Sequence, residues 1–320
     1  MNAETQHDTT HASSEHGQTM HEPTAPAQEN ALTDTLPIVD PMFIEADVPE
    51  SVVAQIRAQL EADEQIFVLF RLNAPQTFPT EAGKTEKNPL WMVITGTRLF
   101  LLALSAEGRV YSEIRDQQTV IEYQNGLSRD VIKIADTSLA TGFWEGSKRK
   151  FLKEAVNLFP LPEYEKYLYL ANMYLKDNQG EQAIPLLRKS LACVPTINAS
   201  LLLVHILAQT DQREEALEVL HEALQRTEAA SLLHETQRLF ADDVKMLLYL
   251  AASFEDHQQW DVCITIYQSL LRKTPDFDLY YLKLGEMYTA THDSEAALPA
   301  YQRFITLRTE SEKSAQGDFL

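Results

Sequence analysis

Residues 167–190 read YLYLANMYLKDNQGEQAIPLLRKS, and residues 281–304 read YLKLGEMYTATHDSEAALPAYQRF. In one register they share Tyr167/Tyr281, Leu168/Leu282, Leu170/Leu284, Met173/Met287, Tyr174/Tyr288, Glu181/Glu295, Ala183/Ala297 and Pro185/Pro299. A single enzyme core gives no reason for such an echo, whereas a chain built by stacking one small unit does. Ala183 and Ala297 each read as the small residue of a second helix, with an aromatic and leucine face before it at helical spacing. A third copy centres on Cys263, with Leu247, Leu250, Ala251, Phe254, Tyr267, Leu270 and Pro275. A fourth centres on Ala216, with Leu203, Val204, Leu207, Leu220 and Ala223, but no aromatic or proline at its ends. The intervals between the four centres are 33, 47 and 34 residues, so one extra helix is expected within residues 227–243.

This pattern resembles the tetratricopeptide repeat, and each of its places has a physical reason. Ala171, Val204, Ala251 and Gly285 let the two helices of a unit approach, and the small residue of the second helix receives the aromatic of the first. Pro185 and Pro299 are expected in the first turn of their helices, where a missing N–H removes no intrahelical bond. The resemblance implies an all-α superhelix over residues 160–309 whose first helices line a concave groove for a protein or peptide partner. Its groove places fall on Leu168, Asn172 and Lys176 of the first unit, and on Leu201, His205 and Gln209 of the second. In the third and fourth units they fall on Lys245, Leu248, Leu282 and Glu286. A row of leucines there suits an amphipathic helix or an extended apolar segment. The same leucines could instead pack on the inserted helix. Asn172 fits one place of the clamp by which some relatives hold a chaperone tail, but Leu168 and Leu202 occupy two others, so no clamp is expected.

Upstream, residues 43–159 read as short strands closed by a helix. EQIFVLFRL (64–72) is followed by a polar stretch, NAPQTFPTEAGKTEKNP, expected to be a loop. In LWMVITGTRLFLLALS (90–105) Gly96-Thr97 breaks two apolar runs, a hairpin signal. Further turns are expected at 105–108 and at Asn125-Gly126. A helix before the strands carries Val52, Val53, Ile56 and Leu60 on one face, and the helix closing the segment carries Phe151, Leu152, Ala155, Val156 and Phe159 on another. The hairpin and closing helix resemble the bacterial pleckstrin-homology-like fold, which implies a small antiparallel barrel-like domain. The fold class expected for the whole chain is therefore multidomain α+β.

Residues 1–42 contain no Lys or Arg and little branched aliphatic, so they are expected to be a disordered acidic tail, and residues 310–320 a flexible end. His7, His11, His16 and His21 lie among Thr, Ser, Gly and Pro and read as polar tail rather than metal ligands. With 47 Asp and Glu against 27 Lys and Arg, nothing supplies the clustered positive charge that nucleic acid or an anionic membrane requires. Cys193 and Cys263 read as buried residues of a reducing cytoplasm. Phosphate-cradling, zinc and nucleophile-elbow motifs are absent. The expectation is a cytoplasmic adaptor, not an enzyme, without cofactor or metal. Two alternatives stand beside it. Lys148, Arg149, Lys150 and Lys153 could recruit the small domain to lipid headgroups, or the chain could be an enzyme of unfamiliar type.

Overall fold

The computed structural model describes residues 36–45, 47–79, 84–116, 118–124, 130–135, 137–142, 146–240 and 243–317. The turn at Asn125-Gly126 and most of the acidic tail lie outside them. The seated chain begins earlier than residue 43. Leu36 is buried, Ile38 bridges Ile66, and Ile44 bridges Leu69. These residues carry enough branched aliphatic surface to pack.

Helix α1 (Glu50–Gln59) is followed by four antiparallel strands, β1 (Ile66–Pro79), β2 (Thr85–Thr95), β3 (Arg98–Leu104) and β4 (Val110–Asp116), paired in that order. The runs 90–94 and 99–104 are apolar at every step because both faces of this sheet are covered. Ile66, Leu69, Trp91, Val93, Phe100 and Leu102 pack with Val52, Val53 and Ile56 of α1. Their alternates, including Phe70, Leu72, Met92, Ile94, Leu99 and Leu101, face the main core. An irregularity between Ile66 and Val68 lets Phe67 and Val68 both point to that core. In the stretch expected to be a loop, residues 75–79 and 85–89 continue the hairpin, with Pro75 opposite Pro89 and Phe78 opposite Glu86. Its polar composition hides an anchor, the buried Phe78.

Strands β5 (Ile121–Gln124), β6 (Asp130–Ile134) and β7 (Thr137–Gly142) form a second, three-stranded sheet. Among the described residues the seven strands do not close into one barrel. No ladder joins β4 to β5, and Val110, Ser112, Ile114 and Asp116 stay exposed along β4. Helix α2 (Gly146–Leu158) follows and buries Leu152, Ala155 and Val156.

Nine helices complete the described chain: α3 (Glu163–Lys176), α4 (Gly180–Cys193), α5 (Ile197–Gln209), α6 (Arg213–Arg226), α7 (Ala229–Phe240), α8 (Val244–Asp256), α9 (Trp260–Lys273), α10 (Asp278–Ala290) and α11 (Ser294–Gly317). Four of the connections are the same turn. Asn178, Asp211, Gln258 and His292, each between the helices of one pair, all take φ between 57° and 61°. That left-handed residue ends a first helix and starts a second within a few positions. The small residues Ala183, Ala216, Cys263 and Ala297 lie five residues after these turns and are buried. At Gly285 the reason for smallness is visible: an added Cβ would sit 2.6 Å from the Tyr301 ring of the paired helix.

Some expectations shift. Pro185 and Pro299 are the sixth residues of α4 and α11, one turn deeper than expected, because each helix begins directly after its turn. The bonds they forfeit would end on Glu181 and Glu295, which are exposed, so water can serve those carbonyls. α11 continues to Gly317, through most of the expected flexible end. Cys193, the last residue of α4, is exposed, whereas Cys263 is buried.

The β half and the helices share one core. Phe67 of β1 packs against Tyr167 of α3, ring centroids 4.9 Å apart. The Tyr174 hydroxyl donates to the Asp40 carboxylate, 2.8 Å from either oxygen. Lys166 is fully buried between them and donates from Nζ to the Gly96 carbonyl at 2.8 Å.

Candidate partner-binding groove

The first helices of the four pairs are neighbours. α5 packs on α8. Lys283 of α10 reaches Glu255 of α8 at 2.8 Å, and the Tyr267 hydroxyl donates to the same carboxylate at 2.6 Å. Between α3 and α5 opens a cavity of about 520 Å³, lined by Asn172, Leu175, Lys176, Leu202, His205, Gln209 and Phe240 among others. A second, of about 490 Å³, lies between α6 and α8 and is lined by Asp211, Arg213, Leu217, Lys245, Leu248, Tyr249 and Ala252.

All but one of the groove residues expected from the sequence fall into three groups. Leu168 and Leu282 are half-buried, and Leu248 is exposed at 36%. Asn172, Lys176, His205 and Gln209 line the first cavity together. Lys245 lines the second, where it pairs with Asp211 at 2.9 Å, and the exposed Glu286 lies 3.3 Å from Lys283. Leu201 differs. It has no exposed surface, because α7 packs on α5 and its Phe240 ring stacks on His205, one turn further along the same helix, at 4.5 Å. Leu202 takes the place at the cavity wall. Sequence reasoning missed Phe240, since it belongs to the inserted helix and has no counterpart in the repeat.

Electrostatics around His205 fix its state. Gln209 Nε2 donates to His205 Nε2 at 2.9 Å, which leaves the proton on Nδ1, and Nδ1 donates to Asp243 Oδ2 at 3.0 Å. Burial pulls the imidazole pKa below its ordinary value, against the opposing pull of Asp243. The other oxygen of Asp243 caps α8 by accepting from the Met246 N–H at 3.0 Å. His205 therefore ties the groove face of α5 to the start of α8 rather than offering a reactive base.

The arrangement offers apolar steps and amide side chains between paired charges, with Lys176 exposed beside them. Among the described residues no group of three or more His, Cys, Asp or Glu could hold a metal, and no helix is long and apolar enough to cross a membrane.

No family model matches the chain, and no curated protein does. Among solved structures, one titled MamA AMB-1 P212121 shares 18% identity, with a TM-score of 0.28, over 46% of this chain and 80% of that one. Another, MamA 41-end from Desulfovibrio magneticus RS-1, shares 14% identity, with a TM-score of 0.26, over 46% of this chain and 76% of that one. Likeness at this level carries no argument, so the repeat rests on the chain's own helix pairs and turns.

Proposed function

We propose that this protein is a non-catalytic scaffold that holds a segment of a protein partner in the groove formed by α3, α5, α8 and α10. The observation that supports it most is the exposure of apolar side chains along first helices. Leu248 is 36% and Leu279 47% exposed, beside half-buried Leu168, Leu202 and Leu282, with one cavity between α3 and α5 and another between α6 and α8. Burying a leucine against a partner contributes roughly 1.5–3 kcal/mol, part of which is lost to ordering the docked segment. The groove is proposed to use Leu168, Asn172, Lys176, Leu202, His205, Gln209, Lys245, Leu248, Leu282 and Glu286, with Leu201 serving packing instead. The β half, with four strands, then three, then α2, supports a pleckstrin-like origin, and its seam with α3 makes it a cap on the first repeat.

Leu248→Asp combined with Leu279→Asp tests the reading. Partners captured by the wild-type protein from its native host and identified by mass spectrometry should be lost, while the variant keeps its helical circular dichroism and a cooperative melt, because both side chains are exposed over more than a third of their surface. Unchanged capture by the double variant would refute a groove-bound partner.

A further inference from the structure

Each second helix carries an apolar residue directly after its small residue and another seven places further on. In α4, α6 and α9 these are Ile184 and Leu191, Leu217 and Leu224, and Ile264 and Leu271. All six are at least partly buried against the core, and each of these helices has the first helix of the following unit packed on it. In α11 the same places hold Leu298 and Ile305, which are 61% and 60% exposed, and among the described residues no helix follows. The last second helix therefore keeps the docking face of an internal unit rather than the polar outer face of a cap. It is also 24 residues long, against 14 for each of the other three.

The stripe that carries this face is complementary to itself. Glu295, Leu298, Ile305 and Arg308 follow one another at intervals of three, seven and three residues, so they share one side of the helix. From one end the order is acid, apolar, apolar, base, and from the other it is the reverse. Two copies laid antiparallel put Leu298 on Ile305 twice and Glu295 beside Arg308 twice. Glu295 is exposed, and the exposed Arg308 guanidinium keeps donors beyond those turned to Asp278 and Glu312. Head-to-tail continuation is closed to a second copy, because the β half already packs on α3 through Phe67 on Tyr167 and Lys166 on Gly96. The contact left to two identical chains is isologous.

We infer that α11 pairs antiparallel with α11 of a second copy of this chain, giving a closed two-fold dimer joined at the ends of the two stacks. The axis passes between Tyr301 and Gln302, so residues 294–309 of each helix overlap over about 24 Å. The inference is independent of what the groove holds.

Sedimentation velocity of the full chain, from about 1 to 500 µM, tests it. One helix pair lies at the small end of specific interfaces, so a monomer–dimer equilibrium with a Kd of about 1–100 µM is expected. Leu298→Asp with Ile305→Asp should weaken it at least about tenfold. Both side chains are exposed, so this variant should fold, and circular dichroism verifies it. Charge exchange tests the direction of pairing. Glu295→Arg alone, or Arg308→Glu alone, sets like charges together at both ends and should weaken association at least about fivefold. The two changes in one chain exchange the ends and should restore association to within about threefold of wild type. A chain that stays monomeric throughout overturns the inference. A dimer that survives Leu298→Asp with Ile305→Asp overturns α11 as its site. Single charge variants that associate like wild type, or a double exchange that restores nothing, overturn the antiparallel pairing.

Discussion

Lys166 shows how one residue can report the seam between the two halves. It lies in the first turn of α3, has no exposed surface, and its Nζ sits 5.9 Å from the Phe67 ring centroid. Burial lowers its pKa to about 8, against the opposing field of Glu163. An unfolded lysine titrates near 10.4, so between pH 8 and 10.4 the unfolded chain binds more protons and stability rises with pH from this group, by roughly 2–3 kcal/mol in all. Several groups act the other way, Cys263 and Tyr167 among them. Burial pushes the Cys263 thiol up to about 12, and Tyr167 is held protonated above its ordinary range. Both remove stability as pH rises through the alkaline window, so wild type alone is ambiguous. Lys166→Met keeps the volume and removes the titration. Its stability advantage over wild type should narrow by roughly 2 kcal/mol between about pH 7.5 and 10 in urea titrations. A constant difference would mean that Lys166 is hydrated in solution. Nothing in the sequence marks this lysine out from its exposed neighbours, because its burial comes from a strand about a hundred residues earlier.

At the scale of elements, the helix pair has a place where the general rule for glycine should reverse. Gly285 lies inside α10, where replacing glycine by alanine ordinarily stabilises a helix by about 1 kcal/mol. Here the new methyl would meet three Tyr301 ring atoms at 2.6–2.8 Å, and the ring cannot yield without moving α11. Gly285→Ala should therefore destabilise by about 1–3 kcal/mol in thermal melts, and Gly285→Ala with Tyr301→Leu should recover much of the loss. Stabilisation by the single variant would show that α10 and α11 are less closely packed than described. This place was legible in the sequence because small residues, aromatics and turns recur at a fixed interval, and each has one physical job. The hairpin beyond Leu72 was not, since Asn, Pro, Thr and Glu read as loop while the buried Phe78 anchors the pairing. The groove lay between these extremes. Lys176, His205 and Gln209 share a cavity, but Leu201 lies beneath an inserted helix whose position no repeat pattern encodes.

At the scale of the molecule, the shared core makes a claim about cooperativity. A stack of repeats unfolds approximately as a chain of neighbours, and its ends open first. Here the two ends differ. The N-terminal unit is held by Phe67 on Tyr167, Lys166 on Gly96 and Asp40 on Tyr174. The C-terminal unit ends in α11, whose Leu298 and Ile305 are 61% and 60% exposed. Native-state hydrogen exchange should therefore give β2, β3 and α3 one common, high opening free energy, and α10 and α11 a lower one. Weakening the seam should lower protection on both its sides together. Tyr174→Phe removes the hydroxyl bonded to Asp40 and keeps the ring, so the fold should survive while exchange in β1 and α3 rises in parallel, by about tenfold or more for a bond to a charged group. Separate opening of β1 and α3, or an effect confined to α3, would show two independent domains joined by a linker. The β half would then lose its role as the cap of the groove's first helix.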